Sequence, residues 1–384
     1  MKVTKKLLLV TLFFLQAYLI RFQIGPYPTN LQEILIGLTA LAFLIESIKE
    51  KRLPKIQNHP ILLTFIALTI ISILTTQLPN QLDFIRHSKF LFFAIITTFI
   101  FTETLNKKER HETLRFAGLG AILFGLFSLA YNLIGLNVAH DLRLLGPLDA
   151  AVYLAFYLAP FFLLFSFDFL KNTKDKKALA SAIILALLLL ATRSMGAIGA
   201  TFLTLIFFTL KNSKIFTKKT AKLALIPLVI IVGGLIFYTK VLPALQTNYS
   251  SLDERGEIWK TSIHLLKDPK TLLLGTGFGQ FQHYYETTVD SVLSHPPLDY
   301  KVLQPHNVFF LFIFQYGILG LAFLFFLIYK TLTNLKSPYA FITLYFLIHG
   351  LIDTPFFKND LLILLLIFLQ LTYFNPDTKS INTA

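Results

Sequence analysis

The stretch HNVFFLFIFQYGILGLAFLFFLIYK, His306 to Lys330, decides the fold class. Between Asn307 and Lys330 it carries no charged residue. Its apolar run is long enough to cross a hydrocarbon core of about 30 Å as one helix, which takes about 20 residues. Working outward from it, about twelve runs of this kind divide the chain, approximately at 6–22, 31–48, 60–77, 84–103, 113–136, 149–170, 177–192, 195–211, 220–239, 307–329, 338–353 and 359–374. With 55% hydrophobic residues and 40 Phe in 384, the chain is too apolar for a domain dissolved in water. The expectation is an all-α polytopic membrane protein of about twelve transmembrane helices.

Orientation follows from Lys and Arg, which cytoplasmic loops retain. An inside N-terminus assigns Lys49, Lys51, Arg52, Lys55, Lys107, Lys108, Arg110, Lys171, Lys174, Lys176, Lys177, Lys211 and Lys214 to the cytoplasm, with the cluster Lys218, Lys219 and Lys222. About two-thirds of all basic residues then lie inside, and both termini are cytoplasmic. One large extracytoplasmic loop, 240–306, separates helices 9 and 10 of a single transmembrane domain, 1–384. Lys2, Lys5 and Lys6 precede an apolar run without a small-x-small cleavage site, so that run reads as the first retained span. The formal charge of +14 is accounted for by topology, which leaves no reason to expect nucleic acid. The absence of Cys removes disulfides, thiolate metal sites and cysteine nucleophiles.

Arginine distributes differently from lysine. Arg21, Arg86, Arg143, Arg193 and Arg255 all fall at the outer side, against the prevailing rule. Guanidinium presents a fixed fork of donors suited to phosphate oxygens, and a diphosphate ligand on the outer face would account for the bias. Snorkelling to outer headgroups is the alternative, above all for Arg21 and Arg86.

The outer loop carries the remaining chemistry. Gly256 to Lys267 reads as an amphipathic helix with Ile258, Trp259, Ser262, Ile263 and Leu266 on one face and Pro269 as its stop. Trp259 favours the membrane interface. Arg255 opens that helix, where unpaired N–H groups make an anion seat; a solvated Arg beside Asp253 and Glu254 is the plainer reading. Gly275, Gly277 and Gly279 lack the preceding strand and Lys-Ser/Thr pair of a nucleotide loop, and read instead as a tight turn anchored by Phe278 and Phe281. His306 sits at the outer boundary of the tenth span. An imidazole titrates near neutrality and suits proton abstraction from a hydroxyl, with a plain helix-end histidine as the alternative. Asn307 is placed to N-cap the span. His349 and Asp353, four apart, share a helix face, and Asp353 is placed to support a histidine or a substrate. The outer side has no His-x-x-x-His pair and the chain no Asp-x-Asp, so no metal is expected.

These residues resemble the O-antigen ligase and polymerase superfamily of polytopic lipid-linked glycan transferases. The resemblance lies in RGEIW (Arg255–Trp259), LLGTGFGQF (Leu273–Phe281), HNVFFLFIFQYGILGL (His306–Leu321) and HGLIDTP (His349–Pro355). RFQIGPYPTNLQE (Arg21–Glu33), RLLGPLDAAVYLAFYLAP (Arg143–Pro160) and TRSMGA (Thr192–Ala197) add to it. It implies a C-type glycosyltransferase fold and inverting, metal-independent transfer without a cofactor. The donor it implies is an undecaprenyl-diphosphate-linked glycan. The acceptor would be a hydroxyl of a glycan, of lipid A core or of another molecule, on the periplasmic face of a bacterial inner membrane. Carried over residue by residue, His306 matches the acceptor-activating base, and Arg255, Arg193 and, more weakly, Arg143 match diphosphate-binding arginines. Two departures stand out: Gln315 replaces a frequent Glu, and Leu148-Asp149-Ala150 follows where Pro-Asn is frequent. A repeat-unit polymerase shares the chemistry with a different acceptor. A lipid-linked sugar transporter is the competing class, yet transporters concentrate ionisable groups near the midplane and show repeated halves.

Overall fold

The computed structural model describes residues 1–25, 27–52, 54–137, 139, 143–212, 251–356 and 358–373. Among them are fourteen α-helices: α1 (Lys2–Phe13), α2 (Leu31–Lys49), α3 (Pro60–Thr75), α4 (Gln81–Thr104), α5 (Lys107–Leu133), α6 (Ala151–Lys171), α7 (Lys176–Ala191), α8 (Met195–Lys211), α9 (Ser251–Leu265), α10 (Pro269–Leu274), α11 (Phe281–Val292), α12 (Val308–Thr333), α13 (Pro338–His349) and α14 (Asn359–Tyr373). Five of these, α2, α4, α5, α6 and α12, are long and apolar enough to cross a membrane. The helices α3, α8, α13 and the apolar part of α14 are shorter. The expected spans other than the first and the ninth fall on α2–α8 and α12–α14. The ninth, 220–239, lies outside the described residues.

The packing is that of a protein whose solvent is apolar. α14 is enclosed on all sides, with Leu361, Ile363, Leu364, Leu366, Ile367 and Phe368 fully buried. α6 is buried along most of its length. The outer helices instead turn apolar stripes outward: Leu41, Leu44, Ile45 and Ile48 on α2, at helical spacing, are 44–76% exposed. Water would make such stripes prohibitively costly, whereas lipid tails accept them.

The first expected span departs from a simple crossing. α1 ends at Phe13, a 3₁₀ turn follows at Leu15–Leu19, and strands β1 (Arg21–Ile24) and β2 (Tyr27–Asn30) form a hairpin that an all-α expectation does not contain. Two demands, one long-range and one local, explain the change. The buried amide of Gln16 donates to Asp360 at the start of α14, a partner that a buried polar group requires. Gly25, at φ 60°, then reverses the chain.

α12 is kinked rather than straight. Gly317 adopts φ 64° and ψ −154° within it. The end of α10 fills the kink: a Cβ on Gly317 would lie 2.1 Å from the Leu273 carbonyl oxygen, and one on Gly275 would lie 2.5 Å from that of Phe314. Gly275, Gly277 and Gly279 all take positive φ, forming the tight turn expected of them. Thr276 and Gly277 donate their N–H groups to the Phe314 carbonyl, at 2.8 and 3.2 Å. Gln315 accepts from the Gly279 N–H at 3.2 Å. Phe278 and Phe281 are buried. Gly317→Ala is expected to destabilise the protein by roughly 3 kcal/mol, because it adds both a left-handed strain and a backbone clash. The midpoint of thermal unfolding in detergent measures it.

Candidate active site

The site is assembled where the start of α12 meets the connection that follows α13. Asn307 is the N-cap of α12: its Oδ1 accepts from the N–H groups of Phe309 and Phe310 at 2.9 and 3.4 Å. Its Nδ2 donates to the Leu351 carbonyl at 3.1 Å, and the Val308 N–H donates to that of Gly350 at 2.6 Å. These bonds bind the head of α12 to the 350–353 turn. Trp259 of α9 holds the preceding residue, its indole N–H donating to the Pro305 carbonyl at 3.1 Å. His306, between these two anchors, takes φ 50°, a conformation uncommon for a residue with a Cβ.

Asp353 is the hub. Its Oδ1 accepts from His306 Nδ1 at 2.9 Å and from the Thr354 N–H at 2.9 Å. Its Oδ2 accepts from Arg255 Nη2 at 3.1 Å, while Arg255 Nε donates to the Ile352 carbonyl at 2.8 Å. Burial alone would raise the Asp353 carboxyl. The hydrogen bond from His306 and the proximity of His306, His349 and Arg255 outweigh it and hold the pKa at about 2. An ionised carboxylate only accepts, so the proton of a neutral His306 sits on Nδ1 and the Nε2 lone pair is left for chemistry. The side-chain exposure rises outward from Asp353 at 9% through Arg255 at 18% to His306 at 29%. A buried anion therefore orients a more accessible imidazole and pins a guanidinium beside it.

Two expectations change here. Arg255 does not open a helix: α9 begins at Ser251, with Asp253 and Glu254 in its first turn. Acidic side chains favour that first turn, so the helix starts earlier and Arg255 acts through its side chain rather than beside free N–H groups. His349 and Asp353 do not share a helical face, because α13 ends at His349 and Asp353 lies in the turn beyond it. His349 is itself buried, packed at a tilt against Phe156 with centroids 4.9 Å apart, and its Nδ1 is 3.1 Å from the Tyr345 hydroxyl. It is a packing residue beneath the site. Gly196 leaves room for it, since a Cβ there would lie 3.3 Å from the ring.

Arg193 and Arg143 reach this end of the bundle through the backbone. Arg193 lies in the α7–α8 turn at φ 50°, exposed, three residues before Gly196. The Leu144 N–H donates to the Ala191 carbonyl at 3.0 Å, setting the half-buried Arg143 next to that turn. The sequence reading passed over Lys358, in the same connection as Asp353. Its Nζ lies 3.3 Å from the Tyr153 ring centroid and 3.8 Å from Asp149 Oδ2. Its closeness in sequence to Asp353 was the available signal, one that the positive-inside rule does not separate from the topogenic lysines.

Residues 179–325 match the family described as O-Antigen ligase. The match covers less than half of the chain. It contains Arg193, Arg255 and His306, whereas Arg143 and Asp353 lie outside the match. No curated protein matches the chain. Beside the family similarity, five helices are long and apolar enough to cross a membrane.

Proposed function

We propose that this chain transfers a glycan from undecaprenyl diphosphate to an acceptor hydroxyl at the outer face of a bacterial inner membrane, in surface polysaccharide assembly. The observation that carries the proposal is the His306–Asp353–Arg255 cluster, a base and a cation held by one buried carboxylate. His306 Nε2 takes the acceptor proton while the acceptor oxygen bonds to the anomeric carbon from the face opposite the leaving group. The bond from that carbon to the diphosphate oxygen breaks with inversion. Arg255 and Arg193, with Arg143 as a weaker candidate, carry the charge of the departing undecaprenyl diphosphate, a role that needs no metal or cofactor in this reading. Both termini are cytoplasmic in this orientation, and 240–306 is the catalytic segment of a single membrane domain, 1–384.

Purified protein given a labelled undecaprenyl-diphosphate glycan and a panel of acceptors tests this. Release of undecaprenyl diphosphate together with a glycosylated lipid A core or other hydroxyl acceptor is the expected result. Elongation of the lipid-linked glycan itself would make the protein a repeat-unit polymerase with the same site. Translocation of intact donor in proteoliposomes, with no bond cleaved, would refute the transferase and point to a flippase.

A further inference from the structure

The opposite end of the bundle holds a cavity that the transfer chemistry does not use. It has a volume of about 530 Å³ and lies among the first turns of α5, the last turns of α6 and the start of α7, within the range of about 300–1,000 Å³ typical of small-molecule sites. Its two halves differ in character. Lys108, Arg115 and Lys177 supply cations, and Phe116, Leu119 and Phe165 form an apolar wall. Leu119 is 44% exposed and faces outward, so the apolar wall continues to the lipid-facing surface.

The acids nearby fix the cavity rather than fill it. Asp175 caps α7, accepting from the Ala178 N–H, and also holds Arg115 Nη1 at 2.9 Å. Asp168 lies 3.7 Å from the same Arg115 nitrogen and 3.0 Å from His111 Nε2, and His111 Nδ1 is 3.0 Å from the Tyr339 hydroxyl. Arg115 is thereby immobilised, 5.8 Å over the Phe165 ring. Glu112 is the one acid on the wall, and at 3.9 Å from Lys108, with both side chains exposed, it neutralises little. Lys107, Lys171, Lys174 and Lys176 lie close in sequence to these lining residues. A cationic seat above an apolar slot, open sideways between membrane helices at their lysine-rich end, complements one ligand class: a phosphodiester carrying acyl chains.

We propose that this cavity binds the headgroup of an anionic glycerophospholipid from the leaflet at the lysine-rich end, the cytoplasmic leaflet in the orientation above. The phosphate sits between Lys108, Arg115 and Lys177, and an acyl chain runs along Phe116 and Leu119. The inference is independent of the transferase assignment, and its test reads no turnover.

Full-length protein is reconstituted in nanodiscs of phosphatidylglycerol or of phosphatidylcholine and melted. The wild type is expected to unfold about 5 °C higher in the anionic lipid. The surface variant K108Q/K177Q is expected to lose about half or more of that difference, while K2Q/K49Q, which removes two lysines from the same end but away from the cavity, keeps it. Equal loss in both variants would reduce the effect to general surface charge and overturn the site, as would a wild type indifferent to headgroup. Glycerol 3-phosphate serves as the soluble arm. If it stabilises detergent-solubilised protein as far as phosphatidylglycerol does, the ligand is a free phosphate ester and the lipid assignment is overturned.

Discussion

His306→Ala is expected to lower glycan transfer by about 10²- to 10⁴-fold, the span associated with loss of a positioned general base. The fold should survive the change. His306 is 29% exposed, outside the enclosed core, and Asp353 keeps the Thr354 N–H and Arg255 as partners when the imidazole is gone. The stability cost is then about that of one hydrogen bond, roughly 1 kcal/mol. Undecaprenyl diphosphate release by purified variant, beside its elution profile and melting curve, measures both quantities. A folded variant that turns over within about 10-fold of wild type would remove His306 from the role of base.

Asp353→Asn is expected to cost about 10³-fold, although the replacement is nearly isosteric. Both carboxylate oxygens accept: Oδ1 from His306 and Thr354, Oδ2 from Arg255. An amide retains one acceptor and turns the other position into a donor. If the NH₂ faces His306, it selects the tautomer with the proton on Nε2, and the base is lost. If it faces Arg255, two donors confront each other and the cation is displaced. In the proposed mechanism Asp353 positions His306, so the loss should fall on kcat more than on KM. The double variant with His306→Ala should be no worse than His306→Ala alone by more than a small factor. Additive losses would mean that Asp353 acts through Arg255 rather than through His306. The acid response has a definite sign. The carboxyl is held at about 2 against 3.8 in an unfolded chain. The stabilisation it provides is complete above 3.8 and is lost as the pH falls through 2.

Much of the architecture was legible because lipid imposes a simple rule. A segment that crosses hydrocarbon must satisfy its backbone internally, so a long apolar run such as 308–329 reads as a helix with little ambiguity. Asn307 was equally legible, since capping is a local matter between a side chain and the next N–H groups. The first span was misread for the opposite reason. Hydropathy registers Leu15 to Ile20 as more of the same helix, whereas the bond from Gln16 to Asp360 joins residues at opposite ends of the chain. Likewise the three loop glycines announced a tight turn, but not that it would lodge in a kink at Gly317.

The candidate site divides along the same line. The sequence by itself determined a helical membrane protein and the residue types able to move a proton or hold an anion. Those properties follow from composition and local chemistry. Only the tertiary structure decided that Asp353 turns away from its helical neighbour His349 and joins His306 and Arg255. The end of α13 at His349 frees Asp353 from helical geometry, and a buried carboxylate settles where donors converge, here from segments 47 and 98 residues away.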